Sequence, residues 1–571
     1  MKTRDRLRLG AAAFAAMAPS VAAADAAMGA VTILVPPSAM HAVEGINFAA
    51  DGMLYGTSIH GQAVYRIDPQ TGVVRVAVPS PDGESDDVAI GPPGTPVAGV
   101  LAWTAQRSGE IRIQRPGGKP EVLVRNLPRV NPIAFRADGR LFTAQVGAGE
   151  DALWELDATG DKPPRLVASN RGQLNGFGFG ADGRLYAPQF RTDKLVAIDV
   201  DSGQFTTIAS GVGAPAAAKM AANGDVISVD YLKGDVWRTS AAGVTAAVGA
   251  AVAGGAAGVA GAGGSRDSRI IAALPAPIDS LAIAGDGTIF VSSVADSSIF
   301  ALDPQSGRWR DVVRGWFTMT LGMTMTELQG RRSLLVADPF GYRYVDLESG
   351  AVTRPAWAAN RGASSAIAAS ERFLAFTYAE SARIRKIDRS SDQIVAETTA
   401  VAAPRGVALT RDQQVIVADA KGGRLVKLTA DGVVDIAVGL DQPVGLVLES
   451  DDSALVTQCG GGSVARVDLR SGRHKVLVSG LHKPTGLALM QDGRLAIVEP
   501  DLGRVIAVDL KSNSRVVLAS GLALSLRGLD MPANTPAGIS VGPDGTVYVS
   551  CPGNNSVVGI RPPARPQRRP Q

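Results

Sequence analysis

Glu44-Gly-Ile-Asn-Phe-Ala-Ala-Asp-Gly-Met-Leu-Tyr-Gly-Thr-Ser58 reads as a short apolar strand, an Asp-Gly turn and a second alternating strand. Asp-Gly between two apolar runs is a strong hairpin signal, because glycine accepts the positive φ that the tight turn requires. The phrase returns at Ala137-Asp-Gly-Arg-Leu-Phe-Thr-Ala-Gln145, Ala181-Asp-Gly-Arg-Leu-Tyr-Ala-Pro-Gln189 and Gly285-Asp-Gly-Thr-Ile-Phe-Val-Ser-Ser293. Further copies stand at Gln491-Asp-Gly-Arg-Leu-Ala-Ile-Val-Glu499 and Pro543-Asp-Gly-Thr-Val-Tyr-Val-Ser-Cys551. A second formula closes each unit: Ile67-Asp-Pro-Gln-Thr-Gly72, Ile198-Asp-Val-Asp-Ser-Gly203, Leu302-Asp-Pro-Gln-Ser-Gly307 and Val467-Asp-Leu-Arg-Ser-Gly472 are examples. Four antiparallel strands in every forty-odd residues is the signature of a β-propeller blade.

Units begin near Glu44, Asp87, Asn131, Asn175, Ala216 and Asp279, then near Leu321, Ser365, Arg405, Val444, Thr485 and Ala537. Propellers rarely exceed eight blades, so the expected class is all-β, with two six-bladed β-propellers of four-stranded antiparallel blades. The division that follows is 31–315 for the first propeller and 316–560 for the second. The last unit lacks a fourth strand, whereas Val31–Val35 is a strand without a unit. Pairing of the two would seal a sheet edge and make one propeller discontinuous.

The 571 residues include 66 Gly and 34 Pro, in keeping with many tight turns, and a formal charge of only +3 gives no basic face for nucleic acid. Lys2, Arg4, Arg6 and Arg8, an apolar run and Val21-Ala-Ala-Ala24 have the form of a signal peptide over 1–24. The apolar run is too short to span a bilayer, so a periplasmic or secreted protein with no membrane span after cleavage is expected. Cys459 and Cys551 fall in different units and are expected to be small buried side chains rather than a disulfide. The Gly/Ala-rich run Ala241–Gly264 is read as an insertion between the fifth and sixth units, with a lipid-contacting hairpin as the alternative, and 561–571 as a disordered Pro/Arg tail.

Both formulaic turns lie on one face. The opposite face carries the links between second and third strands and the starts of the innermost strands, which differ from unit to unit, as a binding face should. In the first half those starts are polar: Glu44, Asp87, Asn131, Asn175 and Asp279. In the second half they are bland, as in Pro404-Arg-Gly, Pro443-Val-Gly, Pro484-Thr-Gly and Pro536-Ala-Gly. Side-chain oxygens converging on a propeller axis suit a hard divalent cation, whereas the plainer reading has them capping strand-end backbone groups. His41 and His60 map to the same face beside Glu44; a neutral imidazole there can shuttle protons, making His60 a catalytic candidate and His41 a substrate contact. No phosphate loop, Ser-His-Asp order or Cys/His zinc spacing is present.

Glu44-Gly45 and Leu174-Asn-Gly-Phe-Gly-Phe-Gly-Ala-Asp-Gly-Arg-Leu-Tyr186 resemble the blade openings of the SMP-30/gluconolactonase/luciferin-regenerating family. The resemblance implies a six-bladed propeller that binds one divalent cation through Glu, Asn and Asp, with activity towards lactones. It makes Glu44 and Asn175 metal ligands and Asn131 a substrate contact. Where the family has its Asp, this chain has Ala216; Asp279 stands one blade later and Asp87 is another acid on the same ring, so either completes the metal shell or serves as base. The second half, with Lys483-Pro-Thr-Gly-Leu-Ala-Leu and Gly542-Pro-Asp-Gly-Thr-Val-Tyr-Val-Ser, is similar to NHL-type repeats, which mostly bind. The expected activity is hydrolysis of a small-molecule lactone or related cyclic ester, dependent on Ca²⁺, Mg²⁺ or Zn²⁺. A lyase opening macrocyclic lactones and a non-enzymatic binding scaffold are the alternatives.

Overall fold

The computed structural model of the chain describes residues 28–252, 267–354 and 364–563. The segment 1–24 read as a signal peptide and the tail beyond 563 lie outside these residues. Among the described residues every strand belongs to one of twelve four-stranded antiparallel sheets. Within each, the first strand is innermost and the fourth outermost. The Asp-Gly turns close the hairpins as their composition demands, with Gly52, Gly183 and Gly545 at φ of 78°, 75° and 81°. In the second formula the aspartate caps its own turn: Asp68 Oδ1 accepts the backbone N–H groups of Gln70 and Thr71 at 2.9 and 3.1 Å. Those acids are architecture, and the face that carries them has its carboxylates in use.

Contacts between innermost strands run in two closed cycles of six. In the first cycle, the blade that opens with Ile46–Phe48 touches both Val88–Ile90 and Leu281–Ile283. In the second, Met323–Leu328 touches both Ala366–Ala369 and Ile539–Val541. Hydroxyl groups stitch each ring together at the same register. Thr104 Oγ1 donates to Asn131 O at 2.7 Å, Ser292 Oγ to Glu44 O at 2.6 Å, Thr377 Oγ1 to Arg405 O at 2.6 Å and Thr457 Oγ1 to Thr485 O at 2.7 Å. Each bond leaves one blade and ends at or just before the start of the next blade's innermost strand. The Ser292 bond closes the first ring.

The second ring closes differently. Ala30–Val35 pairs antiparallel with Ser556–Arg561 and becomes the outermost strand of the last blade. The boundary at residue 31 is thereby corrected: that strand belongs to the second propeller, which is discontinuous, and the first propeller is inserted into it. The crossing point is tied by Asn555, whose buried Nδ2 faces the carbonyl oxygens of Met40, Phe317 and Thr318 at 3.1, 3.1 and 2.9 Å.

A second correction concerns the Gly/Ala-rich run. It leaves from within the fifth blade, between its third strand Asp235–Thr239 and its fourth, Ser268–Ala273, and its first part is the helix Ala241–Val252. Ser240 Oγ caps the helix by accepting Gly243 N–H at 3.2 Å, and Asp225 Oδ1 accepts Ala241 N–H at 2.9 Å. Val244 is buried beside Met220 and Trp237, so this part packs on protein; residues 253–264 lie outside the described residues. Among the described residues no helix is long and apolar enough to cross a membrane. Cys459 and Cys551 are buried free thiols.

The bland Pro-x-Gly starts of the second half also have a physical reason. A Cβ on Gly445 would lie 2.1 Å from Thr485 O of the neighbouring blade, and one on Gly538 would lie 2.4 Å from Leu321 O. Only glycine lets adjacent innermost strands approach this closely. Gly445→Ala is therefore expected to cost about 2–4 kcal/mol through blade displacement, seen as a lower denaturant midpoint with an unchanged slope; an unchanged midpoint would contradict this packing.

Candidate functional site

Links between second and third strands of the two propellers line an open cavity of about 1230 Å³. From the first propeller come Glu44, His60, Asp86, Arg107, Asn131, Tyr231 and Asp279; from the second come Phe340 and Glu380. The face that varies from blade to blade is thus the face that lines the cavity.

Three acids are placed there by one backbone register. Glu44 N–H bonds to Thr57 O at 3.0 Å, Asp86 N–H to Thr104 O at 2.9 Å and Asp279 N–H to Ser292 O at 3.0 Å. Each stands two residues before its innermost strand, and each lines the axial mouth. Asp86 is the member that sequence reading missed, because Asp86 and Asp87 are a doublet and neighbouring residues in extended chain point to opposite sides. Asp87 lies one step further in, does not line the cavity, and accepts the backbone N–H groups of Val88 at 2.8 Å and Ile133 at 3.1 Å. The half-buried Lys219 partly offsets the upward push of burial on the Asp87 carboxyl. At this position the strand-end capping role holds.

The remaining residues singled out in the sequence divide in the same way. Asn131 lines the cavity and its Nδ2 donates to Asp86 Oδ2 at 3.0 Å, beside Gln106 Nε2 at 2.7 Å. Asn175 is half-buried outside the cavity lining, and its Oδ1 accepts the N–H of Gly176 at 2.9 Å. His41 is buried away from the cavity, with Nε2 2.7 Å from Pro552 O of the last blade, a contact between residues 511 apart in the chain. His60 lines the cavity, and burial, then Arg107 and His41, hold its imidazole down at about 4, so it is neutral.

The acids share one electrostatic condition. Burial drives Glu44 well above its ordinary range, Asp86 adds to this, the Ile59 N–H at 2.8 Å pulls back in part, and Asp279 and Glu84 push further. Asp86 is raised well above its range by burial and by the charges of Asp279, Asp87 and Glu84. Burial and Asp87 lift Asp279 to about 7. The same three acids, after burial itself, hold the Tyr231 phenol firmly protonated. No basic side chain is among the groups acting on Glu44 or Asp86. Burial and repulsion between neighbouring acids, rather than ion pairing, set these carboxyls, and groups perturbed in this way are candidates for a functional site. Their oxygens do not all gather within 4.8 Å of one another; among the described residues the group of three metal-ligating side chains that does is His60, Glu380 and Asp530.

No family model matches the chain, and no curated protein does. Among solved structures, a chain from the crystal structure of a nidogen/laminin complex is similar at 18% identity and a TM-score of 0.32, over 35% of this chain and 76% of that one.

The raised carboxyls have a sign that can be measured. An acid lifted from about 4 in the unfolded chain to about 7 in the fold binds more protons when folded across that window, so stability falls as pH rises through it. Denaturant unfolding at pH 5 and pH 7.5 is expected to show wild type losing roughly 1–3 kcal/mol more than Asp279→Asn over this interval; equal changes in the two proteins would contradict the placement of Asp279.

Proposed function

We propose that the chain is a divalent-cation-dependent hydrolase of lactones or related cyclic esters, with its reaction site at Glu44, Asp86 and Asp279. One observation carries the reading: three carboxyl groups of like register meet at the mouth of a propeller, each raised by burial and by neighbouring acids. An all-oxygen donor set of this kind suits a hard cation such as Ca²⁺ or Mg²⁺ better than zinc. Glu44, Asp86 and Asp279 would hold it; Asn175, whose amide oxygen is engaged by Gly176, gives way to Asp86 as a ligand. When bound, the cation supplies polarisation of the ester carbonyl and a lowered pKa for attached water.

The rest falls to the chain's own side chains. Asn131 and Gln106 aim the Asp86 carboxylate through their amide N–H groups. Tyr231, kept protonated by burial and by the acids, lines the cavity beside them. The opposing propeller, through Phe340 and Glu380, limits how large a ring can enter and narrows the route for water. The Glu44 opening of the first blade, which resembles the SMP-30/gluconolactonase pattern, supports the same reading.

Ca²⁺ or Mg²⁺ at a hundredfold excess over Kd should stabilise the wild type by about 2.7 kcal/mol, read as a raised Tm. Glu44→Gln and Asp86→Asn should lose both that rise and the opening of a panel of γ-, δ- and macrocyclic lactones, while Asn175→Ala keeps the rise. Stabilisation without turnover on any lactone would favour a binding protein. A Tm indifferent to both cations would overturn the reading.

A further inference from the structure

We propose that His60, Glu380 and Asp530 form a second metal centre, which takes a divalent metal of the zinc class and clamps the two propellers together. The group stands apart from the three acids in chemistry and in origin. His60 comes from the link after the first blade's second strand, Glu380 from the link after the second strand Phe373–Tyr378, and Asp530 from the long connector between Arg515–Ala519 and Ile539–Val541. One nitrogen and two carboxylate oxygens from these residues all lie within 4.8 Å of one another.

Three features build the place. His60 Nδ1 is buried and has no hydrogen-bond partner, which is costly for an imidazole unless a ligand answers it. It lies 3.9 Å from Asp530 Oδ2. Ligands bonded to a tetrahedral metal at about 2.0–2.2 Å stand roughly 3.3–3.6 Å apart, so the His60–Asp530 pair is already close to metal-ligand spacing. The backbone is already pinned, because Asp530 N–H donates to His60 O at 2.9 Å. The connector bearing Asp530 is anchored in turn, with Leu526 buried and Leu529 and Met531 packed against the same core beneath the second propeller's face. The His60 ring is held edge-on to Phe340 of the second propeller, with centroids 5.9 Å apart. Position is thus set by packing, and the nitrogen is left for a ligand.

An imidazole nitrogen with two carboxylates excludes Ca²⁺, which takes oxygen, and selects zinc-class metals with open positions for water or substrate. The site also has a built-in competitor. Arg107 Nη2 contacts Asp530 Oδ2 and lies 3.8 Å from Glu380 Oε1. Metal and guanidinium therefore compete for the same carboxylates, and removing the guanidinium should tighten metal binding.

The test uses the full-length protein, stripped with chelator and titrated with Zn²⁺ by calorimetry and with Co²⁺ by visible absorption. Wild type is expected to take one equivalent with a Co²⁺ spectrum showing nitrogen ligation. His60→Asn and Asp530→Asn should weaken binding at least tenfold and lose that spectrum, and Arg107→Ala should tighten it. Glu44→Gln should leave it unchanged, so failure here and failure of the acid site are told apart. If His60→Asn does not fold, Glu380→Gln, an exposed position, is expected to weaken binding and decides the matter. Equal affinity in wild type and the ligand variants, or no Zn²⁺ bound by wild type, would overturn the proposal.

Discussion

Antiparallel pairing of Ala30–Val35 with Ser556–Arg561 is the constraint on which the rest of this molecule depends. It covers the free edge of the last blade, which would otherwise present unpaired backbone groups to any passing strand. It also obliges the chain to leave the second propeller after its first strand, build the whole first propeller and return. Both passages meet at Asn555 and at the His41–Pro552 contact, so the two rings are tethered near one edge. With the edge held, the variable faces turn towards each other and the cavity between them follows. Asp530 N–H to His60 O and Arg107 with Glu380 are the links across that cavity.

Within this frame the acids carry an energetic cost that the packing of twelve blades offsets. Each carboxyl is taken from water and set near others of its kind, and each is therefore raised. Hydrogen bonds from Ile59, Gln106 and Asn131 recover part of the loss. Elsewhere in the chain, acids are spent quite differently. Asp68 and its equivalents cap turns and are held below their usual range by backbone N–H groups. The contrast between the two faces of one propeller is the physical basis for locating function on one of them.

Much of the fold was legible because it is encoded locally. Asp-Gly turns, Asp-x-x-Ser-Gly turns and alternating strands each state their geometry within a few residues, and their period gives the blade count. The lone first strand and the incomplete last unit even made their pairing visible as an option. The helix Ala241–Val252 was not legible: a run of Ala and Gly carries no period, and its start is defined by Asp225, a residue in another turn of the blade. Glu44 and Asp279 stood out as acids at unit starts, but Asp86 did not, since its doublet with Asp87 hides which one faces the cavity. Alignment of the stitching hydroxyls Thr57, Thr104 and Ser292 resolves it, as each bonds the residue of the same register in its own or the next blade. Tyr231, Glu380 and Asp530 could not be read at all, because no local pattern reports a contact between two rings.

The central claim is that the Glu44, Asp86 and Asp279 carboxyls await a cation. Its most direct test is anomalous diffraction at long wavelength from crystals of the full-length protein grown with Ca²⁺. The account predicts a calcium peak at the mouth of the first propeller, with oxygens of all three acids drawn to roughly 2.3–2.6 Å from it. The three carboxyls standing apart and hydrogen-bonded to water or to one another, with no peak between them at saturating Ca²⁺, would contradict it.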